Sequence, residues 1–223
     1  MELRDAMRTT PATRAFTDDD VPDAIVLAIL DAARFAPSGS SRQAWKVVVV
    51  RDPATKARIA ALYELGMREY GAYLRAGLVP FAASEVDREP PVDLVAARGT
   101  PGPQAPGHLV AAPVLLVILL DTENTSAVDA GLGRIPLTAG ASIYPFAHNV
   151  LLAARDLGFG GHLTSVLARQ EPALRELRHV PPRYALGTMI PLGRPVKVVT
   201  KLARAPVESF ATVETFDGPA FTG

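Results

Sequence analysis

Apolar residues along the 223-residue chain fall into three kinds of pattern. The first is helical. Ile25, Ile29, Ala32 and Ala33 recur at helical spacing with Leu30 beside them, Asp20 stands ready to cap, Pro22 suits a first turn, and Pro37 forbids continuation, so a helix is predicted over 20–36. Residues 54–76 repeat the pattern with Ile59, Leu62, Met67, Tyr70 and Leu74, which makes Tyr63, Tyr70 and Tyr73 core or interface residues of one helix. Residues 141–157 form the most apolar helix, with Ile143, Phe146, Ala147, Val150, Leu151, Ala154 and Leu157 around most of its circumference. Such a helix lies deep in a core or in a subunit interface.

The second pattern is the unalternating run. Val47–Val50 and Val114–Leu119 predict strands covered on both faces, and a third β segment follows near Leu186–Leu192. The third pattern is scatter. Residues 197–223 hold Val198, Val199, Leu202, Val207, Phe210, Val213 and Phe216 at no regular spacing, which reads as an arm laid over another surface. Residues 79–107 differ from the rest by their prolines and glycines, and read as a lid over a site or a mobile surface loop.

Composition narrows the class. Lys plus Arg equals Asp plus Glu at 23 each, so no basic excess offers a footprint for nucleic acid or an anionic membrane. There is no cysteine, which excludes disulfides, thiolate metal sites and a Cys nucleophile. The longest apolar run, Leu109–Leu120, is broken by Pro113 and falls short of the roughly 18 residues that span a bilayer. The opening MELRDAMRTT has no apolar core of a secretory signal. The expectation is a soluble, cytoplasmic protein of α and β elements in a single domain, 1–223. His108, His148, His162 and His179 lack ligand-like spacing, so no metal site is expected.

Three segments carry candidate chemistry. Arg8 and Arg14 lie in a polar stretch before the first helix, and guanidinium forks suit phosphate oxygens. Pro37-Ser38-Gly39-Ser40-Ser41-Arg42-Gln43 is a small polar turn between a helix and a strand, able to present backbone groups and hydroxyls to a ligand. Gly158-Phe159-Gly160-Gly161 lets backbone approach a flat ring closely. It is not a dinucleotide fingerprint: the glycine spacing is wrong, and a helix precedes it where a strand is required.

Together, MRTTPATRAFTDDDVP, AARFAPSGSSRQAWKVVVVRD and GASIYPFAHNVLLAARDLGFGGHLTS resemble the nitroreductase family of FMN-dependent flavoproteins, in a branch with an RTTxATRxF opening. The resemblance runs from about Arg8 to Phe210 and is poor over Ala72–His108. It implies an α+β homodimer with a central mixed β-sheet flanked by helices. It implies FMN sites at the dimer interface built from both chains, with the tail on the partner. The implied reaction passes hydride from NADH or NADPH through FMN to an electrophilic small molecule (a nitroaromatic, quinone or enone) in a ping-pong cycle. Relatives that degrade flavin or remove halogen reductively, and an FMN-binding dimer without catalysis, are the alternatives.

By the same resemblance, Arg14 approaches the phosphate-ribityl or pyrimidine side of FMN, while Ser38, Ser40, Arg42 and Gln43 form the turn that holds it. Tyr144 and Pro145 pack by the ring, Gly160 and Gly161 bring a backbone N–H to flavin N5, and Arg204 with Lys201 meets the phosphate. Arg8 substitutes for a cation usual near Thr10, and His162 is a candidate proton donor to substrate. The chain departs from the family pattern at Ser41, where many members have Asn, and at Ala44, where many have Pro.

Overall fold

The computed structural model describes residues 1–85 and 88–222, so the parts of the 79–107 insertion and of the tail at Val86, Asp87 and Gly223 lie outside it. Helices α1 (Leu3–Thr9) and α2 (Asp23–Ala33) precede strand β1 (Trp45–Val50) and the long helix α3 (Pro53–Arg75). Short helices α4 (Leu94–Ala97) and α5 (Gly107–Ala111) lead to β2 (Val114–Asp121). Then come α6 (Tyr144–Asp156), β3 (Gly160–Gly161), α7 (Glu171–Arg178) and β4 (Tyr184–Gly193).

The strands form one sheet in the order β1-β2-β4-β3. Alternation along the buried strand β2 splits the core in two. Val114, Leu116, Ile118 and Leu120 face α2 and α6, with Trp45 stacked on Phe146 at 4.6 Å. Leu115, Val117 and Leu119 face the side of α3, α5 and α7. Helices therefore cover both faces, and β2 is the fully buried strand its sequence predicts.

Two expectations are corrected. The sheet is not mixed: among the described residues every strand pairing is antiparallel. The cause lies in the connections. The chain leaves β1 at Val50 and enters β2 beside it, with Val50 opposite Leu115, because the segment after α3 doubles back along that helix. A Cβ on Gly102 would stand 2.7 Å from the Met67 backbone, so the two run in close contact. A parallel neighbour would need a crossover ending at the opposite end of the sheet. Nor is β1 covered on both faces. It is an edge strand, and Val49 is 41% exposed.

Capping also differs in part. Asp52 caps α3 by accepting from the Thr55 N–H at 2.7 Å, but Asp20 does not cap α2, and faces Arg51 instead at 3.3 Å. The insertion is anchored to α3 through Glu69, which is fully buried and accepts from Arg98 at 2.8 Å and Arg169 at 2.9 Å. Among its described residues the tail has one short helical turn, Val207–Ser209, and an antiparallel bridge from Thr212 to Ala220, and Phe210 and Phe216 are exposed. Among the described residues no helix is long and apolar enough to cross a membrane.

Candidate active site

The turn before β1 is built from polar contacts and held in an unusual backbone shape. The Ser38 hydroxyl accepts from the Gln43 N–H at 2.9 Å, and the Gly39 N–H donates to Ser142 Oγ at 3.1 Å. Arg42 donates to Ser126 Oγ at 2.9 Å. Ser40, Ser41 and Gln43 have φ of 53°, 54° and 51°, a left-handed conformation that residues with a Cβ adopt at a cost. Ser142 opens onto α6, whose first residues are Tyr144 and Pro145. The Tyr144 hydroxyl reaches the Gly187 carbonyl at 3.4 Å. Gly187 is the extra residue of a bulge, since Ile118 pairs with Thr188 while Leu119 pairs with Leu186. Ser38, Ser40, Arg42, Gln43, Tyr144 and Pro145 thus gather at one end of the sheet.

Gly160 and Gly161 lie at the other end. They pair with Gly193 and Leu192 of β4, and the Thr13 N–H donates to the Gly161 carbonyl at 2.9 Å. A Cβ on Gly160 would stand 2.7 Å from Thr13 Oγ1, so the close approach of the two segments requires glycine there. Arg14 follows Thr13 and is exposed.

His162 emerges from this turn at 2% exposure and donates its Nδ1–H to the Thr13 carbonyl at 2.8 Å. Burial, with further depression from the Arg14 and His108 charges, brings its pKa down to about 4. His108 lies alongside, ring centroids 5.1 Å apart, with Nδ1 directed at the Ala105 carbonyl at 3.2 Å, and burial lowers its pKa as well. The two Nε2 atoms are buried and have no hydrogen-bond partner among the described residues. His162 is therefore neutral at physiological pH, with its one proton committed to a carbonyl. Its Nε2 is left to accept a hydrogen bond.

The two groups of residues do not meet within one chain. Trp45 pairs with Leu120, whereas Gly161 pairs with Leu192 opposite Val114. Six residues of β2 separate those levels, about 20 Å at ~3.3 Å per residue.

The remaining cations are dispersed over the surface. Arg8 on α1, Lys201 and Arg204 are all exposed. Arg204 donates to the neighbouring Ala203 carbonyl. Arg155, absent from the sequence-based set, ties α6 to Thr9 Oγ1 at 3.1 Å and to the Val199 carbonyl at 2.9 Å, which brings the start of the tail against the Thr9–Thr13 segment. Ser142, His108 and Arg155 carry no local signal in the sequence, because each acts through a partner distant in the chain.

The nitroreductase family model matches residues 7–194. The chain belongs to the nitroreductase family. This nitroreductase-family chain is 24% identical over 199 residues, 88% of its length and 79% of the other's, to a Methanothermobacter thermautotrophicus protein with the provisional name NADH dehydrogenase/NAD(P)H nitroreductase. It is 24% identical over 195 residues, 86% of its length and 83% of the other's, to a 5,6-dimethylbenzimidazole synthase of Rhodobacter capsulatus. Its fold resembles iodotyrosine deiodinase solved with FMN and 3-iodo-L-tyrosine, with a TM-score of 0.68 at 20% identity, covering 96% of this chain and 100% of that one. A Desulfovibrio desulfuricans nitroreductase solved with FMN gives a TM-score of 0.66 at 22% identity, with 95% of each chain covered.

Proposed function

We propose that this chain is an FMN-dependent oxidoreductase that takes hydride from NADH or NADPH and delivers it to an electrophilic small molecule. The observation that carries the reading is the family match over residues 7–194, which takes in both ends of the sheet. The nearby residues fit such a cofactor. Three residues other than glycine are held at positive φ in the turn at 38–43, and two buried imidazole nitrogens are left without donors at the other end. Strain and orphaned acceptors of this kind are the marks of a polar ligand site.

FMN, when bound, supplies reversible hydride acceptance. The protein's share is binding and orientation. Arg14, with Arg204, Lys201 and Arg8 from exposed segments, pairs with a phosphate dianion by charge-assisted hydrogen bonds. Ser38, Ser40, Arg42 and Gln43 fix one edge of the site, Tyr144 and Pro145 flank it, and Gly160 and Gly161 admit the ring against backbone. His162 accepts a hydrogen bond through Nε2.

The site is completed by a second copy. In one chain the two groups stand at opposite ends of the sheet, so a common cleft requires that the Ser38–Gln43 end of one protomer meet the Gly160–Gly161 end of the other. The exposed Phe210 and Phe216 give the tail apolar surface for such a contact.

Anaerobic mixing of the yellow protein with NADH or NADPH tests the reading. Bleaching, then recovery with a quinone or nitroaromatic, is expected. The likeness to a 5,6-dimethylbenzimidazole synthase and to iodotyrosine deiodinase favours a second reading, in which the same cofactor serves flavin breakdown or reductive dehalogenation. Consumption of free reduced FMN under oxygen, or halide release from a halophenol, in place of quinone turnover would select it. Protein that takes up no FMN would overturn both.

A further inference from the structure

Residues 211–221 close on themselves. Thr212 bridges Ala220, the Val213 N–H donates to the Pro219 carbonyl at 2.9 Å, and the Phe221 N–H donates to the Ala211 carbonyl at 2.9 Å. Glu214 turns the chain at φ 63°, and a Cβ on Gly218 would collide with the Val213 carbonyl, so the turn requires glycine there. Among the described residues, every hydrogen bond made by 203–221 stays within the tail. Phe216 sits at the tip of the loop and is 99% exposed. A loop fixed by its own backbone bonds thus holds an aromatic ring clear of its own chain. A ring held in this way has the character of an interface anchor, an aromatic group that gains by filling a pocket on a partner.

The same chain carries a hollow of matching chemistry. A cleft of about 330 Å³ opens beside Tyr144, with Leu120, Ile135, Pro136, Ile143 and Leu186 among its walls. Neither the polar turn at 38–43 nor any charged side chain lines it among the described residues, so an apolar ring suits it and a phosphate does not.

Placement joins ring and cleft. Arg155 donates to the Val199 carbonyl at 2.9 Å and to Thr9 Oγ1 at 3.1 Å, so the tail sets out from the end of the sheet that holds the glycine turn. The cleft lies at the other end, with Tyr144. A two-fold axis that sets the glycine-turn end of one chain against the polar-turn end of its copy brings each tail beside the other chain's cleft and fills both clefts at once.

We infer that Phe216 of the partner subunit seats in the cleft beside Tyr144 and forms part of the wall of the active site. This seating rests on the two-chain site proposed above and adds a residue to it.

The chain has no cysteine, so an introduced pair reports the contact without background. Phe216→Cys is combined with Leu137→Cys, an exposed position on the rim of the cleft, in the full chain with and without FMN. On mild oxidation a disulfide between positions 216 and 137 of different chains is expected, seen as a linked dimer on a non-reducing gel and as the joined peptide by mass spectrometry. Phe216→Ala should weaken self-association at least ~tenfold by sedimentation and leave the circular dichroism unchanged, since the ring supports nothing in its own chain. A disulfide within one chain, no disulfide, or a Phe216→Ala dimer as tight as the wild type would overturn the inference while leaving the two-chain flavin site standing. A linked dimer that takes up no FMN would sink only the flavin reading. A wild-type chain that sediments as a monomer would overturn both the seating and the two-chain site.

Discussion

His162 donates its Nδ1–H to the carbonyl of Thr13 at 2.8 Å, joining the glycine turn to the N-terminal segment across 149 residues. Burial of its ring, against the opposing pull of this bond, makes stability depend on pH. A free imidazole titrates near 6.5 and His162 at about 4, so between these values the unfolded chain binds a proton that the folded chain refuses. Stability is level above pH 6.5 and falls as pH drops toward 4, by at most about 3 kcal/mol from this residue. Urea titrations from pH 7.5 to 4 should show that fall, and His162→Gln should flatten most of it. A residual slope of the same sign belongs to His108, whose pKa burial also lowers. An unchanged slope in His162→Gln would refute the assignment.

Relief of backbone strain should be measurable at the polar turn. Ser41 has φ 54°, which glycine adopts freely and a β-branched residue resists. Ser41→Gly is expected to stabilise by about 0.5–1 kcal/mol, a rise in melting temperature of roughly 1–4 °C, and Ser41→Val to destabilise by more than about 1 kcal/mol. Opposite signs for the two variants by calorimetry support the strained conformation. A destabilising Ser41→Gly speaks against it.

Much of this architecture is legible in the residues themselves. Periodicity exposes α2, α3 and α6, and unbroken apolar runs expose β1 and β2, because burial dictates those patterns. The order of strands is not legible, since it depends on how segment 76–113 returns along α3. The meeting of His108 with His162 is equally hidden, because each histidine taken alone looks like a packing residue. Glu69 reads as one more solvated charge on a helix until two arginines from elsewhere in the chain close over it.

The arginines and their carboxylate should not be equivalent on mutation. Glu69 is fully buried, whereas the Arg98 and Arg169 side chains are 49% and 42% exposed. Removing the carboxylate returns two guanidiniums to water, and Glu69→Gln should cost about 1–3 kcal/mol. Removing both arginines strands a buried charge, and Arg98→Ala with Arg169→Ala should cost about 3–5 kcal/mol. Denaturant unfolding distinguishes the two, and the reverse ranking would contradict this account of the anchor.

Acid should loosen the loop that leads to Tyr144. The Asp129 carboxylate accepts from Thr138 Oγ1 and the Leu137 N–H, with Arg134 beside it, and these bonds hold its pKa far below the ordinary carboxylate range. Its contribution is complete above the unfolded carboxylate value near ~4 and is lost as pH falls below that. Hydrogen exchange at the Leu137 and Thr138 amides should therefore be slow at pH 6, after correction for intrinsic rates, and lose protection toward pH 3. Protection indifferent to that change, or unaltered in Asp129→Asn, would contradict the role of Asp129.

The claim that one site draws on opposite ends of two chains can be tested by mixing lesions. Arg42→Glu damages the end that holds the polar turn, and Arg14→Glu the end that holds the glycine turn. Each homodimer should bind no FMN. In a mixed dimer of the two variants, one site carries both lesions and the other carries none, so the account predicts one FMN per two chains by absorbance. A mixed dimer that binds none would mean that each site lies within a single chain, and would contradict the account.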